Sequence, residues 1–259
     1  MDRFVLIGNP LGHSLSPQIH EELFRQKGIA ADYRLLDVVP QMLESTIPHL
    51  RTLKGFNVTI PYKQTIIPYL DGLDATALRY GAVNCVVNRK GRLIGYNTDC
   101  IGFIAALGDK SELLSRRVVL LGCGGAGRMM AIEALMKGAE LYIAVRGGAS
   151  LHADSVVEEA KRMKLSCLPK ITDINDEAQY PERIDILLNS TPVGMYPKVE
   201  FSPVSEEIVK RCGCVFDAVY NPERTMLLKY AEDNGVTALG GMKMLVEQAK
   251  AGQKIWYAR

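Results

Sequence analysis

Residues 118–127 read Val-Val-Leu-Leu-Gly-Cys-Gly-Gly-Ala-Gly, and this stretch decides the fold. Its four apolar residues predict a buried strand, and the six that follow match the spacing G-x-G-x-x-G. A helix is predicted over 126–137, ending at Gly138, and a second strand over 140–145. Strand, glycine turn, helix and strand form the βαβ unit of a dinucleotide-binding fold. The alternative is a glycine-rich turn without a ligand.

The glycine turn has the features expected of a pyrophosphate site. Gly122 permits a tight turn, Gly124 lets backbone N–H groups approach the phosphates, and Gly127 lets the helix pack closely on the strand. The helix N-terminus adds unpaired N–H groups and the positive end of the helix dipole. The predicted cofactor-binding loop consists of Gly122, Cys123, Gly124, Gly125 and Ala126.

The end of the second predicted strand distinguishes between the two nicotinamide dinucleotides. NAD sites usually place Asp or Glu there to bind the ribose 2′-hydroxyl. Residues 144–148 read Ala-Val-Arg-Gly-Gly instead. Since the guanidinium of Arg146 would attract a 2′-phosphate, NADP is the favoured cofactor. The alternatives are a solvated Arg146 without a ligand and NAD as the cofactor.

Strands and helices alternate along most of the chain, which predicts an α/β protein with largely parallel sheets. Its 259 residues suit two modest domains. We place a substrate-binding, catalytic α/β domain at 1–99 and 240–259 and a Rossmann-like NADP-binding domain at 100–239. The helix predicted over 242–258 would return to the first domain and make it discontinuous.

The sequence also predicts a helix N-cap, a short helix and a strand. Ser16 is expected to be the N-cap of a helix over 17–27. A short helix is expected over 62–70, and a strand near 166–168.

Composition and charge exclude several classes of protein. The formal net charge is +2, with 31 Lys and Arg against 29 Asp and Glu, so neither nucleic acid nor an anionic membrane is an expected partner. The six cysteines are scattered without a disulfide framework, which predicts reduced thiols and a cytoplasmic location. No metal site is expected, because the histidines and cysteines lack ligand spacing.

Lys63 and Asp99 each fall just after a strand, in the first turn of a predicted helix. A cation at a helix N-terminus costs about 0.3–1 kcal/mol, so Lys63 is poorly placed for stability. Such local inconsistencies tend to mark functional sites. Both residues are expected in the crevice where open α/β sheets bind ligands, so we predict that the carboxylate orients the lysine. The alternatives are a surface lysine and an aspartate that only caps its helix.

Ser14 and Ser16 alternate in the stretch His-Ser-Leu-Ser-Pro at 13–17. In extended backbone both hydroxyls point to the same side. Two such hydroxyls suit a polyhydroxylated or carboxylate ligand. A purely structural role of Ser16 as an N-cap is the alternative.

Together these motifs resemble the shikimate dehydrogenase family along nearly the whole chain. Eight motifs occur in the order of that family, which makes the resemblance specific. They are residues 8–10 with 13–17, 57–63, 81–84, 95–99, 122–126, 189–195 and 217–222, and Gln248 in the last helix.

The resemblance implies reversible hydride transfer between NADP(H) and C3 of 3-dehydroshikimate or shikimate, in aromatic amino-acid biosynthesis. It implies that Lys63 and Asp99 are the catalytic pair. The substrate-binding residues that it implies are Ser14, Ser16, Thr59, Lys63, Asn84, Asp99, Tyr220 and Gln248. The cofactor-binding residues that it implies are Gly122, Cys123, Gly124, Gly125, Ala126, Val145, Arg146, Gly147, Ala218 and Gly241.

The sequence departs from the family pattern beside Arg146. Val145 and Gly147 stand where NADP-specific members commonly have Asn and Thr, so two hydrogen-bonding side chains are missing. NAD as cofactor and quinate as a second substrate are therefore alternatives within the family. The sequence leaves the oligomeric state open, a homodimer included.

Two alternatives lie outside this activity. One is a dinucleotide-binding regulator without turnover, against which the presence of both Lys63 and Asp99 argues. The other is a Rossmann dehydrogenase for a different small acid, which would need a different set of polar residues in the first domain.

Overall fold

The structure is a computed structural model that describes residues 1–12 and 14–258. His13 of the predicted serine motif and the last residue of the predicted 240–259 segment lie outside the described residues. The chain forms two compact units. The first contains Met1–Gly102 and the C-terminal segment that begins at Val246, and the second is Phe103–Leu245.

The first unit contains a six-stranded mixed sheet. Its strands are β1 (Asp2–Gly8), β2 (Ala31–Asp37), β3 (Gly55–Val58), β4 (Gly72–Leu73), β5 (Cys85–Arg89) and β6 (Arg92–Tyr96). They lie in the order β2-β1-β3-β5-β6-β4. Strand β1 is parallel to β2 and β3, whereas β5 is antiparallel to both β3 and β6. The helices are α1 (Ser16–Gln26), α2 (Leu43–Leu50), α3 (Tyr62–Thr65), α4 (Ala75–Tyr80) and α5 (Asp99–Leu107), the last of which continues into the second unit.

Residues 4–8 of strand β1 are buried on both faces of the sheet, which explains the apolar run from Phe4 to Ile7. Because side chains alternate along a strand, Phe4 and Leu6 face a cluster with Trp256. Val5 and Ile7 face the other core cluster of this unit. The strand ends that carry polar residues are therefore held by a core on each side.

The second unit contains a six-stranded sheet in which every pairing is parallel. Its strands are β7 (Arg117–Leu121), β8 (Glu140–Val145), β9 (Lys170–Asp173), β10 (Ile186–Asn189), β11 (Cys214–Asp217) and β12 (Thr237–Gly240). The order β12-β11-β10-β7-β8-β9 is the doubly wound order of the Rossmann fold. Its helices are α6 (Gly125–Met136), α7 (Leu151–Arg162), α8 (Glu206–Lys210) and α9 (Met226–Asp233), and α10 (Gly241–Tyr257) begins here and continues into the first unit. The predicted Rossmann-like fold is confirmed.

The strand predicted near 166–168 is wrong. The third strand of this sheet is β9, in which Lys170 pairs with Tyr142 of β8. Lys164 adopts a positive φ of 53° after helix α7, and Leu168 is 49% exposed. Leu168 therefore belongs to the irregular segment between helix α7 and strand β9.

The prediction that Ser16 caps α1 is also wrong. The helix begins at Ser16 itself, the N-cap position belongs to Leu15, and no side chain caps this end. The Ser16 backbone N–H donates instead to Ser14 Oγ over 3.3 Å.

The helix predicted over 62–70 is divided in two. Helix α3 ends at Thr65, and a 3₁₀ turn follows at Ile67–Tyr69. Pro68 lacks an N–H and disfavours helical backbone at the residue before it, which explains the break.

The imidazole of His20 is fully buried and stacks on Tyr33 with 4.2 Å between ring centroids. Burial lowers the pKa of His20 to about 3 from its ordinary 6.5, and the charge of Lys27 acts in the same direction. Below pH 6.5 the unfolded chain therefore takes up a proton that the folded protein excludes. We expect stability to fall as the pH falls from 6.5 toward 3, by up to about tenfold in the folding equilibrium per pH unit.

This pH dependence is measured by urea unfolding at pH 7 and pH 5, followed by the fluorescence of the single tryptophan, Trp256. In the wild type, His20 should lower the folding equilibrium constant about 25-fold between pH 7 and pH 5. His20→Gln should lose most of this pH dependence. His152→Gln replaces an exposed imidazole and should leave the loss unchanged. An equal loss in the wild type and His20→Gln would contradict the assignment.

Within residues 1–12 and 14–258, no helix is long and apolar enough to cross a membrane. The same residues contain no group of three or more His, Cys, Asp or Glu side chains that could hold a metal ion. All six cysteines are free thiols.

Candidate active site

The sheet topology of the first unit explains why distant segments meet. Lys63 follows β3, and Asp99 follows β6, which runs parallel to β3 because both are antiparallel to β5. Asn84 immediately precedes β5, so it lies at this same edge. Three short connections therefore converge at the carboxyl end of β3.

Lys63 and Asp99 form the contact that the sequence predicts. Lys63 Nζ lies 2.7 Å from Asp99 Oδ2. The two side chains are only 18% and 12% exposed, so solvent screens this ion pair less than a surface pair. A shielded amine beside a carboxylate is suited to proton transfer.

Asp99 is fixed by further hydrogen bonds, one at its carboxylate and one at its backbone. Asn84 Nδ2 donates to Asp99 Oδ1 over 2.7 Å, and the Asp99 backbone N–H donates to Asn97 Oδ1 over 3.1 Å. Because one carboxylate oxygen faces the lysine and the other faces an amide, the group cannot turn freely. The arrangement fixes the direction in which Lys63 is held.

Asn84 connects this pair to the C-terminal helix. Its Oδ1 accepts from the Thr98 backbone N–H over 2.7 Å, and its Nδ2 lies 3.3 Å from Gln248 Oε1. Thr98 Oγ1 donates to Gln248 Oε1, also over 3.3 Å. The structure therefore brings together Lys63, Asn84, Asp99 and Gln248, which we call the lysine group. The sequence did not single out Thr98 as a member.

Ser14 and Ser16 form a second group, the serine pair, after β1. Ser14 Oγ donates to Ser16 Oγ over 3.1 Å. The two hydroxyls therefore lie next to each other, as the sequence predicts. Thr59 lies on the neighbouring strand end, where its backbone N–H donates to Ile7 O over 2.9 Å. The serine pair, Thr59 and the lysine group all belong to the first unit.

The glycine turn after β7 has the predicted backbone properties. Gly122 has a φ of +80°, which favours glycine. A Cβ on Gly127 would lie 2.8 Å from Gly122 O and 2.4 Å from Ser190 Oγ, so helix and turn are in close contact. A Cβ on Gly124 would meet no atom within 4 Å. The open space at Gly124, in front of the helix that begins at Gly125, fits a pyrophosphate.

Cys123 and Ala126 complete this loop. The Cys123 side chain is buried, and burial raises the pKa of its thiol to about 11. It is therefore held as a neutral, weakly reactive thiol. Ala126 lies in the first turn of α6.

Val145 ends β8 and leads into a turn at Arg146–Gly148. Gly147 and Gly148 both have positive φ, and Arg146 is exposed. The Gly147 N–H donates to Asp173 Oδ1 over 3.3 Å. The sequence did not indicate this carboxylate, because Asp173 is the last residue of β9, whereas the predicted strand was placed near 166–168.

Asp217 anchors the segment that carries Ala218 and Tyr220. Its buried carboxylate accepts from Asn189 Nδ2, the Val219 N–H and Thr225 Oγ1, over 2.9, 3.0 and 2.7 Å. Burial raises the pKa of Asp217, and these three hydrogen bonds oppose that effect. The sequence reasoning did not single out Asp217 itself.

Gly241 fits closely against this segment. Its N–H donates to Val219 O over 3.3 Å, and a Cβ on it would lie 2.3 Å from Ala218 O. Burial raises the pKa of Tyr220. Ala218, Tyr220 and Gly241 all belong to the second unit, as does the glycine turn. Tyr220 thus lies in a different unit from the other predicted substrate-binding residues, and its contact with substrate stays a prediction.

Comparison with known proteins supplies independent observations. A family model described as the shikimate dehydrogenase substrate binding domain matches residues 6–86. A protein named shikimate dehydrogenase (NADP(+)), from Caldanaerobacter subterraneus subsp. tengcongensis, is 42% identical over 259 residues, which cover 98% of this chain and 90% of that protein.

Two solved structures cover the whole chain. The shikimate 5-dehydrogenase of Thermus thermophilus, in complex with NADP(H) and shikimate, is 30% identical with a TM-score of 0.85, and 94% of its chain is covered. That of Listeria monocytogenes, in complex with shikimate and NAD, is 32% identical with a TM-score of 0.88, and 92% of its chain is covered. On this sequence identity and coverage, the chain belongs to the shikimate dehydrogenase family.

Proposed function

We propose that this protein catalyses the reversible NADPH-dependent reduction of 3-dehydroshikimate to shikimate. The observation that carries the proposal is the 2.7 Å contact between Lys63 and Asp99, held by Asn84. It occurs in a chain whose relatives, such as that of Caldanaerobacter, are named for this activity.

The first unit binds the substrate in this proposal. The serine pair donates hydroxyl hydrogens to the substrate carboxylate, which replaces the 3.1 Å hydrogen bond between Ser14 and Ser16. Thr59, Asn84 and Gln248 bind the ring hydroxyls. Amide and hydroxyl groups are suited to this because each can donate or accept a hydrogen bond.

Lys63 acts on the oxygen at C3. In the reductive direction its ammonium group donates a proton to that oxygen, and in the oxidative direction its amine accepts one. Asp99 stabilises the protonated lysine and keeps Nζ directed at the reacting oxygen. NADPH, when bound, supplies the hydride that C3 receives.

The second unit binds the cofactor. The residues assigned to the pyrophosphate are Gly122, Cys123, Gly124, Gly125 and Ala126. Val145, Arg146 and Gly147 bind the ribose phosphate, and Ala218 and Gly241 lie beside the nicotinamide. The open space at Gly124 and the exposed guanidinium of Arg146 support this assignment. The six free cysteines fit a reducing, cytoplasmic location.

Cofactor preference tests the role of Arg146. We expect kcat/KM for NADPH to exceed that for NADH in the wild type. Arg146→Ala should lower kcat/KM for NADPH about tenfold, the effect of losing one charge-assisted contact, and leave NADH nearly unchanged. Arg183→Ala removes another exposed arginine of the second unit and should change neither value. An equal loss for both cofactors in Arg146→Ala would contradict recognition of a 2′-phosphate.

The proposed activity itself is tested by adding 3-dehydroshikimate to the protein with NADPH. We expect equimolar loss of reduced nicotinamide absorbance and formation of shikimate. A regulator would bind NADPH without oxidising it. Quinate with NADP⁺ and NAD⁺, assayed beside shikimate, measures how strictly the substrate is selected.

A further inference from the structure

Tyr33 is a buried residue of the first unit that the proposed mechanism does not use. Its side chain is 2% exposed, and its ring lies nearly parallel to that of His20, with 11° between the planes. Its hydroxyl donates to Asn57 Oδ1 over 2.8 Å. A buried amide held at its oxygen in this way presents its NH₂ group in one fixed direction.

Asn57 transmits this contact to the lysine group. Its Nδ2 donates to the backbone oxygen of Asn84 over 2.9 Å, and Asn57 is itself only 5% exposed. The Val58 N–H donates to the same oxygen over 2.9 Å. The Tyr33 hydroxyl therefore sets the orientation of the amide that holds Asn84, and Asn84 in turn holds Asp99.

Burial also fixes the protonation state of Tyr33. It raises the pKa of the phenol well above its ordinary value. The phenol therefore stays protonated and donates its hydrogen to Asn57 Oδ1.

We propose that Tyr33 is a positioning residue that acts on the lysine group through Asn57. Its hydroxyl holds the Asn57 amide, which holds the backbone of Asn84, so the amide that fixes Asp99 keeps its place beside Lys63. Tyr33 touches neither substrate nor cofactor in this proposal. The inference rests on the proposed function.

Tyr33→Phe tests the proposal, because it removes one oxygen atom and keeps the ring on His20. We expect kcat/KM for 3-dehydroshikimate to fall about tenfold, the factor expected when one buried hydrogen-bond partner is lost. The Kd for shikimate, measured by calorimetry, should rise. The KM for NADPH should not change, since the cofactor loops belong to the second unit.

Tyr257→Phe is the matched control. Its hydroxyl donates to Asp2 Oδ2 over 2.9 Å, and its ring belongs to the same aromatic cluster, 6.2 Å from Phe4. It should keep wild-type kinetic constants even if its Tm falls as far as that of Tyr33→Phe. An equal loss of kcat/KM in both variants would reduce Tyr33 to a structural role and overturn the proposal.

A double-variant cycle shows whether Tyr33 acts through Asn57. Asn57→Ala removes the same connection from its other end. If the two residues act together, the double variant should have a kcat no lower than Asn57→Ala alone. Additive losses in kcat, or a Tyr33→Phe protein within twofold of wild type, would overturn the proposal.

These results are separable from a failure of the proposed function. A wild-type protein that binds both ligands without turnover contradicts the activity, while the shikimate Kd of Tyr33→Phe still tests the positioning role of Tyr33. If the wild type turns over and Tyr33→Phe leaves the shikimate Kd and kcat/KM unchanged, the positioning role alone is contradicted.

Discussion

Lys63→Ala is expected to lower kcat by about 10²–10⁴-fold, the usual contribution of a general acid or base. The variant lacks the group that donates a proton to the oxygen at C3, and water does not replace a group fixed 2.7 Å from its carboxylate partner. The Kd for NADPH should stay within twofold of wild type, since all residues that we assign to the cofactor belong to the second unit. Steady-state rates and calorimetry measure both quantities.

Lys54→Ala is the control for removing a lysine. Lys54 Nζ lies 2.7 Å from Asp2 Oδ2 in the same unit, but the side chains of that pair are 34% and 37% exposed. Its kcat should equal that of wild type.

Asp99→Asn should also lose orders of magnitude in kcat, because an amide no longer stabilises the ammonium group. Near-normal turnover in Lys63→Ala would contradict the assignment.

The second large effect concerns the glycine turn. Gly124→Ala should weaken NADPH binding about hundredfold, or about 2.7 kcal/mol, because its methyl group occupies the space assigned to the pyrophosphate. The fold should tolerate the change, since a Cβ there meets no protein atom within 4 Å. We therefore expect loss of affinity without loss of Tm.

Gly127→Ala separates cofactor binding from folding. Its Cβ would lie 2.8 Å from the backbone oxygen of Gly122, so helix α6 must shift. Overpacking of this kind costs about 1–3 kcal/mol of stability. Its Tm should fall, whereas that of Gly124→Ala should not. If Gly124→Ala binds NADPH like wild type, the loop is not the pyrophosphate site.

The sequence predicted the fold of the second unit well, because the residues that determine its strand, turn and helix lie next to each other in the chain. Residues 118–127 contain a strand, a turn and a helix start in direct succession, and the structure has all three. The contact of Lys63 with Asp99 was predictable for a related reason. Each follows a strand, and strand ends in open α/β sheets gather at one edge.

The errors arose where a contact from elsewhere in the chain decides the structure. Ser16 has the residue type of an N-cap, but its backbone N–H and its hydroxyl both bond with Ser14. The strand near 166–168 was misplaced because exposure of Leu168 cannot be read from its apolar side chain. The local sequence does not show which apolar segment will pair with a neighbouring strand of the sheet.

The supporting hydrogen bonds around Asn84 could not be predicted either. Asn84 lies 164 positions before Gln248 in the chain, and the Tyr33 hydroxyl of β2 reaches Asn57 of β3 across the intervening strand β1. Amide and phenol side chains carry no periodic signal that would pair them. Gln248 was predicted as a site residue only from the resemblance to the family. No feature of the sequence indicated a role for Tyr33.

Labelled cofactor shows directly whether hydride reaches C3 of the substrate. NADPH deuterated at C4 of the nicotinamide, on the transferred face, is incubated with the protein and 3-dehydroshikimate, and the product is analysed by mass spectrometry and NMR. We expect shikimate with one deuterium at C3 for each NADP⁺ formed. Shikimate without the label, or bound cofactor that stays reduced, would contradict the proposed hydride transfer.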